Sequence, residues 1–207
     1  MKKLIAICII CSLIFFTLTG CAPKIDLINE NAAGLLEGKE LDLYLEQIGK
    51  PMDEVFEAFS LTEDQMTDTF HGVTWLLPTT REIEGEAFSQ ELLFERSEPN
   101  NLYSYRYTFH PEEYDEDEFR ELAVSIALNA VELHGDSLHA DGLNLFNNAG
   151  NVIKNRNDTY IETWELSENE ALRFHADIKH RYIWLDYRVQ TGLYMDDLKR
   201  ASGKMLE

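Results

Sequence analysis

The chain of 207 residues predicts an α+β fold, an antiparallel meander sheet with helices on one face, in an element order that suggests two tandem α-βββ units. Three observations lead there. Two runs near the C-terminal end alternate with period 2: Leu172, Phe174, Ala176 and Ile178 against Arg173, His175 and Asp177, then Ile183, Leu185, Tyr187 and Val189 against Tyr182, Trp184, Asp186 and Arg188. Consecutive strand candidates are joined by turns too short for a parallel crossover. One long helical stripe, Phe119, Leu122, Ala123, Ile126, Ala127, Ala130 and Val131, stands between two groups of strands.

The elements follow in order. Residues 1–20 read as an exported leader: Lys2 and Lys3 precede an apolar run over 4–18 that is short for a membrane span of roughly 20 residues. Residues 21–38 read as a tether, because Gly34 and Gly38 interrupt the apolar Leu27, Ile28, Leu35 and Leu36. The first α-βββ unit spans 39–110. Leu41, Tyr44, Leu45 and Ile48 fall on one face of a short helix, which Gly49 stops. Pro51 suits the first position of a second helix carrying Met52, Val55, Phe56 and Phe59.

Strands are expected over 71–77 (ended by Pro78), 87–95 and 102–109, the last with Tyr103, Tyr105, Tyr107 and Phe109 on one face. Glu98-Pro99-Asn100-Asn101 makes the turn between the last two. The second unit spans 111–192. Its helix, 114–133, has Asp115, Glu116, Asp117 and Glu118 at the positive end of its dipole, and Gly135 closes it. Residues 137–149 read as a short helix or turns and 150–158 as polar loop. Strands follow over 159–166, 171–178 and 182–190, and 193–207 is a polar tail with a frayed helix near 195–199. The two-unit suggestion rests on element order; no residue-level repeat is apparent between the halves.

Leu18-Thr19-Gly20-Cys21 resembles the lipobox of bacterial lipoprotein precursors. The resemblance implies cleavage before Cys21, lipidation of its thiol with at least two acyl chains, and a domain anchored to the outer face of the cell membrane. The other reading is an uncleaved N-terminal helix with a chance cysteine. Ile48-Gly49-Lys50-Pro51-Met52-Asp53-Glu54-Val55 is similar to helix starts of the β-lactamase-inhibitor-protein-like and BamE-like lipoproteins. That likeness implies helix-pair-plus-antiparallel-sheet units, sometimes in tandem, that bind and do not catalyse. The single long helix of the second half departs from it.

Composition narrows the chemistry. Cys8 and Cys11 leave with the leader and Cys21 is taken by lipid, so the domain would carry no thiol, disulfide or cysteine-ligated metal. About 170 residues remain to form a core. With Lys2 and Lys3 gone, 38 acidic residues face 16 basic ones, a net charge of about −22. Such a chain is repelled by phosphate backbones and anionic headgroups, which argues against a nucleic-acid partner. The charge serves solubility or, alternatively, a basic partner or cation.

No motif signals catalysis. His71, His110, His134, His139, His175 and His180 show no metal-ligand spacing, although the pairs His175/His180 and His134/His139 would suit zinc if they converged. Ordinary turn and polar-face histidines are the plainer reading, with no metal and no cofactor. Ser137-Leu138-His139-Ala140-Asp141 holds the triad residue types, but neighbours in a row seldom converge. The acidic run 112–118 lacks calcium-loop spacing and reads as a solvated helix start. The strand face bearing Tyr182, Trp184, Arg173 and Arg188 has the composition of a protein-binding surface, or else is covered by a second layer or a dimer. The expectation is therefore a non-catalytic, membrane-anchored extracytoplasmic module that binds a protein or envelope component. The alternatives are a carboxylate-dependent extracytoplasmic hydrolase and a solute-binding lipoprotein.

Overall fold

The structure, a computed structural model, describes residues 25, 32–69, 72–138 and 159–189. The leader, Cys21, His71, His139 and the tail 193–207 lie outside these residues, as do most of 137–149 and all of 150–158. Helices α1 (Gly38–Leu45) and α2 (Met52–Phe59) lead through a 3-10 turn (Glu63–Gln65) into strands β1 (Met66–Thr69), β2 (Gly72–Ile83), β3 (Glu86–Phe94) and β4 (Leu102–Phe109). Helix α3 (Glu116–His134) follows, then β5 (Thr159–Glu165), β6 (Glu170–Asp177) and β7 (Tyr182–Val189). All seven strands join one antiparallel sheet in the order β1-β2-β3-β4-β7-β6-β5, so the fold is α+β. The last strand of each meander meets the other at the sheet centre, Tyr105 opposite Tyr187.

One face of this sheet is the core. A register row runs across six strands as Trp75, Leu92, Tyr105, Tyr187, Leu172 and Trp164, every one fully buried. Tyr44 of α1 lies 4.3 Å from Tyr105, Phe56 of α2 meets Trp75 edge-on at 4.1 Å, and Phe119 of α3 stacks with Phe109 at 6.3 Å. Aromatic pairs at these distances add directional attraction to the burial of apolar area. Around α3, Phe119, Leu122, Ala123, Ile126, Ala127 and Ala130 are buried, as the stripe in the sequence requires. Asp115 caps it, its Oδ1 accepting from the N–H groups of Asp117 (2.9 Å) and Glu118 (2.8 Å). Gly135 closes it with an N–H bond to the Val131 carbonyl.

Several boundaries differ from the sequence reading. Strand β2 does not end at Pro78. It continues to Ile83, and its pairing with β3 skips from Leu76 to Thr80, so the proline lies in the irregularity, where no ladder N–H is needed. Tyr103 does not share a face with Tyr105 and Tyr107. Leu93 pairs with Ser104 but Phe94 pairs with Leu102, so Tyr103 is the extra residue of a bulge and turns toward the other face. Pro51 sits one position before α2, not within it. The short strand β1, absent from the sequence reading, lines the edge of β2.

Residues 33–36 are packed rather than tethering. Leu35 and Leu36 are buried, and Ala33 forms a parallel bridge with Glu82. Arg81 clamps this segment: its Nε donates to Gly34 O at 2.5 Å, its Nη2 to Ala33 O at 3.1 Å, and its fork grips Glu40 at 2.5 and 3.1 Å. The Gly49–Pro51 corner docks on the start of β4, with Gly49 N–H bonded to Leu102 O and Leu102 N–H to Lys50 O. A left-handed φ of 88° at Gly49 makes that corner accessible without a Cβ penalty.

Candidate functional site

The second face of the sheet is polar and aromatic. Three register rows cross it: Leu93, Ser104, Arg188, Ala171 and Glu165; then Glu91, Arg106, Asp186, Arg173 and Thr163; then Ser89, Thr108, Trp184, His175 and Ile161. Neighbouring strands lie about 4.8 Å apart and same-face neighbours along a strand about 6.8 Å, so these side chains are contiguous on one face; Leu93, Ser104, Ala171, Thr163 and Asp186 among them are buried. Tyr182, Trp184, Arg173 and Arg188 all stand on it. Arg106, Asp186, Tyr103, Glu91 and His175 join them.

Asp186 is its centre. The carboxylate is buried and accepts a forked pair from Arg106, Nε to Oδ1 at 2.5 Å and Nη2 to Oδ2 at 3.2 Å. Burial alone would lower the Arg106 value; the bond to Asp186 more than reverses it, so the guanidinium stays charged. Glu91, on the far side of Arg106, is held above the usual carboxylate range by burial, against the pull of Arg106. Arg188 reaches Asp186 only at 4.0 Å. Among the described residues no carboxylate lies within ion-pair distance of Arg173. The Nε atoms of Arg173 and Arg188 and the Oγ of Ser104 are buried without a hydrogen-bond partner among the described residues.

Trp184 is half-buried among cations. Arg106 and Arg173 lie 5.0 and 5.4 Å from its ring centroid, and His175 stacks on it at 4.9 Å and 3°. Arg188 covers Tyr103 at 5.6 Å. Cation–π contacts of this kind hold guanidinium groups in place while leaving their outer edges available. Tyr182 sits edge-on to His110 and His175. Its phenol is raised, first by burial, and so is that of Tyr103. Burial lowers His175.

The pair His175/His180, which would have suited zinc only by converging, does not converge. His175 is stacked on Trp184, whereas His180 is bound to Asp177, Nδ1 to Oδ2 at 2.8 Å. No group of three or more metal-ligating side chains occurs among the described residues. Of the acidic run 112–118, Asp115 caps α3 and Glu116, Asp117 and Glu118 form its first turn, while 112–114 precede it. Arg106 and Asp186 went unremarked in the sequence as site residues, although the same alternation that singles out Trp184 places Asp186 beside it.

No family model matches the chain, and no curated protein or solved structure matches it at a significant level. Among the described residues no helix is long and apolar enough to cross a membrane.

Proposed function

We propose that this chain is a lipid-anchored extracytoplasmic lipoprotein that binds another protein or an envelope component through the polar face of its sheet, without catalysis. The observation that carries the reading is the half-buried Trp184 ringed by Arg106, Arg173 and His175, with Tyr103 and Tyr182 beside it. Tryptophan, tyrosine and arginine are the residue types that dominate binding energy at interfaces. The anchor reading rests on Leu18-Thr19-Gly20-Cys21. The three helices among the described residues pack on the apolar face in this reading, which leaves the polar face to the partner.

The tandem-unit reading gains support once the register aligns the halves. Thr74-Trp75-Leu76-Leu77 corresponds to Thr163-Trp164-Glu165-Leu166, Leu92-Leu93-Phe94 to Leu172-Arg173-Phe174, and Ser104-Tyr105-Arg106 to Asp186-Tyr187-Arg188. The row Trp–Leu–Tyr then reads as Tyr–Leu–Trp across the β4–β7 seam, as a pseudo-twofold axis would produce.

Capture from solubilised membranes tests the binding reading. Trp184→Ala is expected to retain its fold and to weaken partner capture by about 2 kcal/mol. Phe174→Ala, from the core face, is expected to lose about 3–5 kcal/mol of stability. Thermal melts on both variants separate the two effects; a Trp184→Ala chain that unfolds as readily as Phe174→Ala makes the polar face a second core and removes the binding surface. For the anchor, Cys21→Ser is expected to leave the membrane fraction or remain unprocessed, and retention like wild type would exclude it.

A further inference from the structure

From the same face we infer the chemistry of the partner: an acidic polypeptide segment whose carboxylates dock on Arg188 and Arg173. This rests on the binding reading above and adds the identity of the group bound. The seam between β4 and β7 contains two equivalent ladder pairs, Arg106 opposite Asp186 and Arg188 opposite Ser104. In the first, the carboxylate satisfies the guanidinium with two bonds. In the second, the position equivalent to Asp186 is Ser104, fully buried with its Oγ unpartnered, and among the described residues Arg188 has only the long 4.0 Å ion pair to the Asp186 carboxylate that Arg106 already holds. Arg173, one strand beyond Asp186, has its Nε likewise buried without a partner and no carboxylate within ion-pair distance among the described residues.

Asp186 therefore gives both its hydrogen bonds to one of three arginines and only a 4.0 Å ion pair to a second. Glu91 lies beyond Arg106, Asp177 is held by His180, and Glu165 stands two strands from Arg188. Among the described residues, two guanidinium groups on the β6–β7 side thus lack a hydrogen-bonded carboxylate, in a chain whose net charge is −20. That contrast selects the partner. A nucleic acid or an anionic membrane brings charge over a long distance and meets the field of the whole molecule. A short acidic segment brings its carboxylate within the screening length of about 8 Å, where the nearby guanidinium groups dominate. Guanidinium and carboxylate match as a planar fork, and Trp184 and Tyr103 offer flanking rings for the carbon chain of an Asp or Glu neighbour.

The test uses the full chain and a fluorescein-labelled oligoglutamate peptide, with oligolysine as the opposite-charge control and the exposed Lys39→Ala as the off-site variant. Anisotropy is expected to report binding of oligoglutamate that weakens as salt is raised. Arg188→Gln and Arg173→Gln together should weaken it about 10-fold or more, with Lys39→Ala unchanged. Ser104→Asp, which supplies the missing carboxylate from within, should also block the peptide. Arg188→Gln keeps the test decisive where Ser104→Asp does not fold. Because Trp75 and Trp164 are fully buried, a change in tryptophan emission on titration assigns the contact to Trp184. Absence of peptide binding, or equal loss with Lys39→Ala, overturns the inference. Partner capture that needs Trp184 but is indifferent to both arginines removes the acidic partner and leaves the binding reading intact. Capture that needs neither removes both. Binding of an oligonucleotide or anionic vesicles at the same arginines, in preference to oligoglutamate, also overturns the inference.

Discussion

Arg81 shows how one side chain holds a segment distant in sequence against the sheet. It is nearly fully buried, yet each nitrogen of its guanidinium donates to Glu40 or to the carbonyls of Ala33, Gly34 and Leu35. Arg81→Ala removes the pair and leaves those carbonyls without their donor. The expected loss is about 3 kcal/mol in urea denaturation, with residues 33–36 the first to become accessible to protease. Lysine cannot replace the fork, so Arg81→Lys should recover little.

His175 and Asp177 set a pH response at the same scale. Burial holds His175 below the ordinary histidine value, so the unfolded chain takes up its proton first as pH falls. The neutral form is favoured by the fold, and that stability is lost as pH drops through about 6.5 and below. Groups facing it (Asp177 and Asp186, which oppose the shift, and Arg173 and Arg106, which reinforce it) leave burial the largest influence. For Asp177, burial pushes upward but hydrogen bonds from the His180 ring and backbone prevail, so its value is lowered. Its contribution is present above the ordinary carboxylate value and fades only in stronger acid. His134 is also lowered by burial and acts with the same sign as His175. Melts are expected to fall between about pH 7.5 and about pH 5, and His175→Phe should flatten part of that slope.

At the scale of elements, Gly72 governs the start of β2. A Cβ built there would lie 2.1 Å from the backbone carbonyl oxygen of Phe94, and its φ of 146° is one L side chains rarely adopt. The obstacle is main chain, not a flexible side chain, so strands must move apart to admit even a methyl group. Gly72→Ala is expected to cost more than about 2 kcal/mol by urea denaturation, loosening the β2–β3 pairing nearest Trp75. A variant as stable as wild type would show that β2 starts elsewhere. Asp115 is a smaller device: it caps one helix end, and such caps contribute about 1 kcal/mol.

For the whole molecule, the β4–β7 seam couples the two halves. Neither meander closes its own sheet, because each leaves its last strand to be paired by the other. The core row also runs uninterrupted through Tyr105 and Tyr187. A single cooperative transition is therefore expected, with near- and far-ultraviolet dichroism falling together; two separated transitions would mean that the halves fold independently.

Alternation and helical periodicity were sufficient for the α+β class, for six of the seven strands, and for α3, because a half-buried strand or helix writes its buried side into consecutive residues. The same alternation separated Trp184 and Asp186 from Leu185 and Tyr187. Local grammar did not reveal the passage of β2 through Pro78, the bulge at Tyr103 or the packing of Leu35 and Leu36. Each depends on a partner strand or on Arg81, 46 or more residues from the carbonyls it holds. The proposed correspondence of the halves was equally hidden, since Trp75 and Trp164, or Arg106 and Arg188, can be set side by side only when the register says which residues face one another. Sequence determined which side chains share a face of each strand. Tertiary structure alone decided which strands are neighbours, and hence that one carboxylate, Asp186, stands among three arginines; long-range pairing sets that charge balance, and no local pattern encodes it.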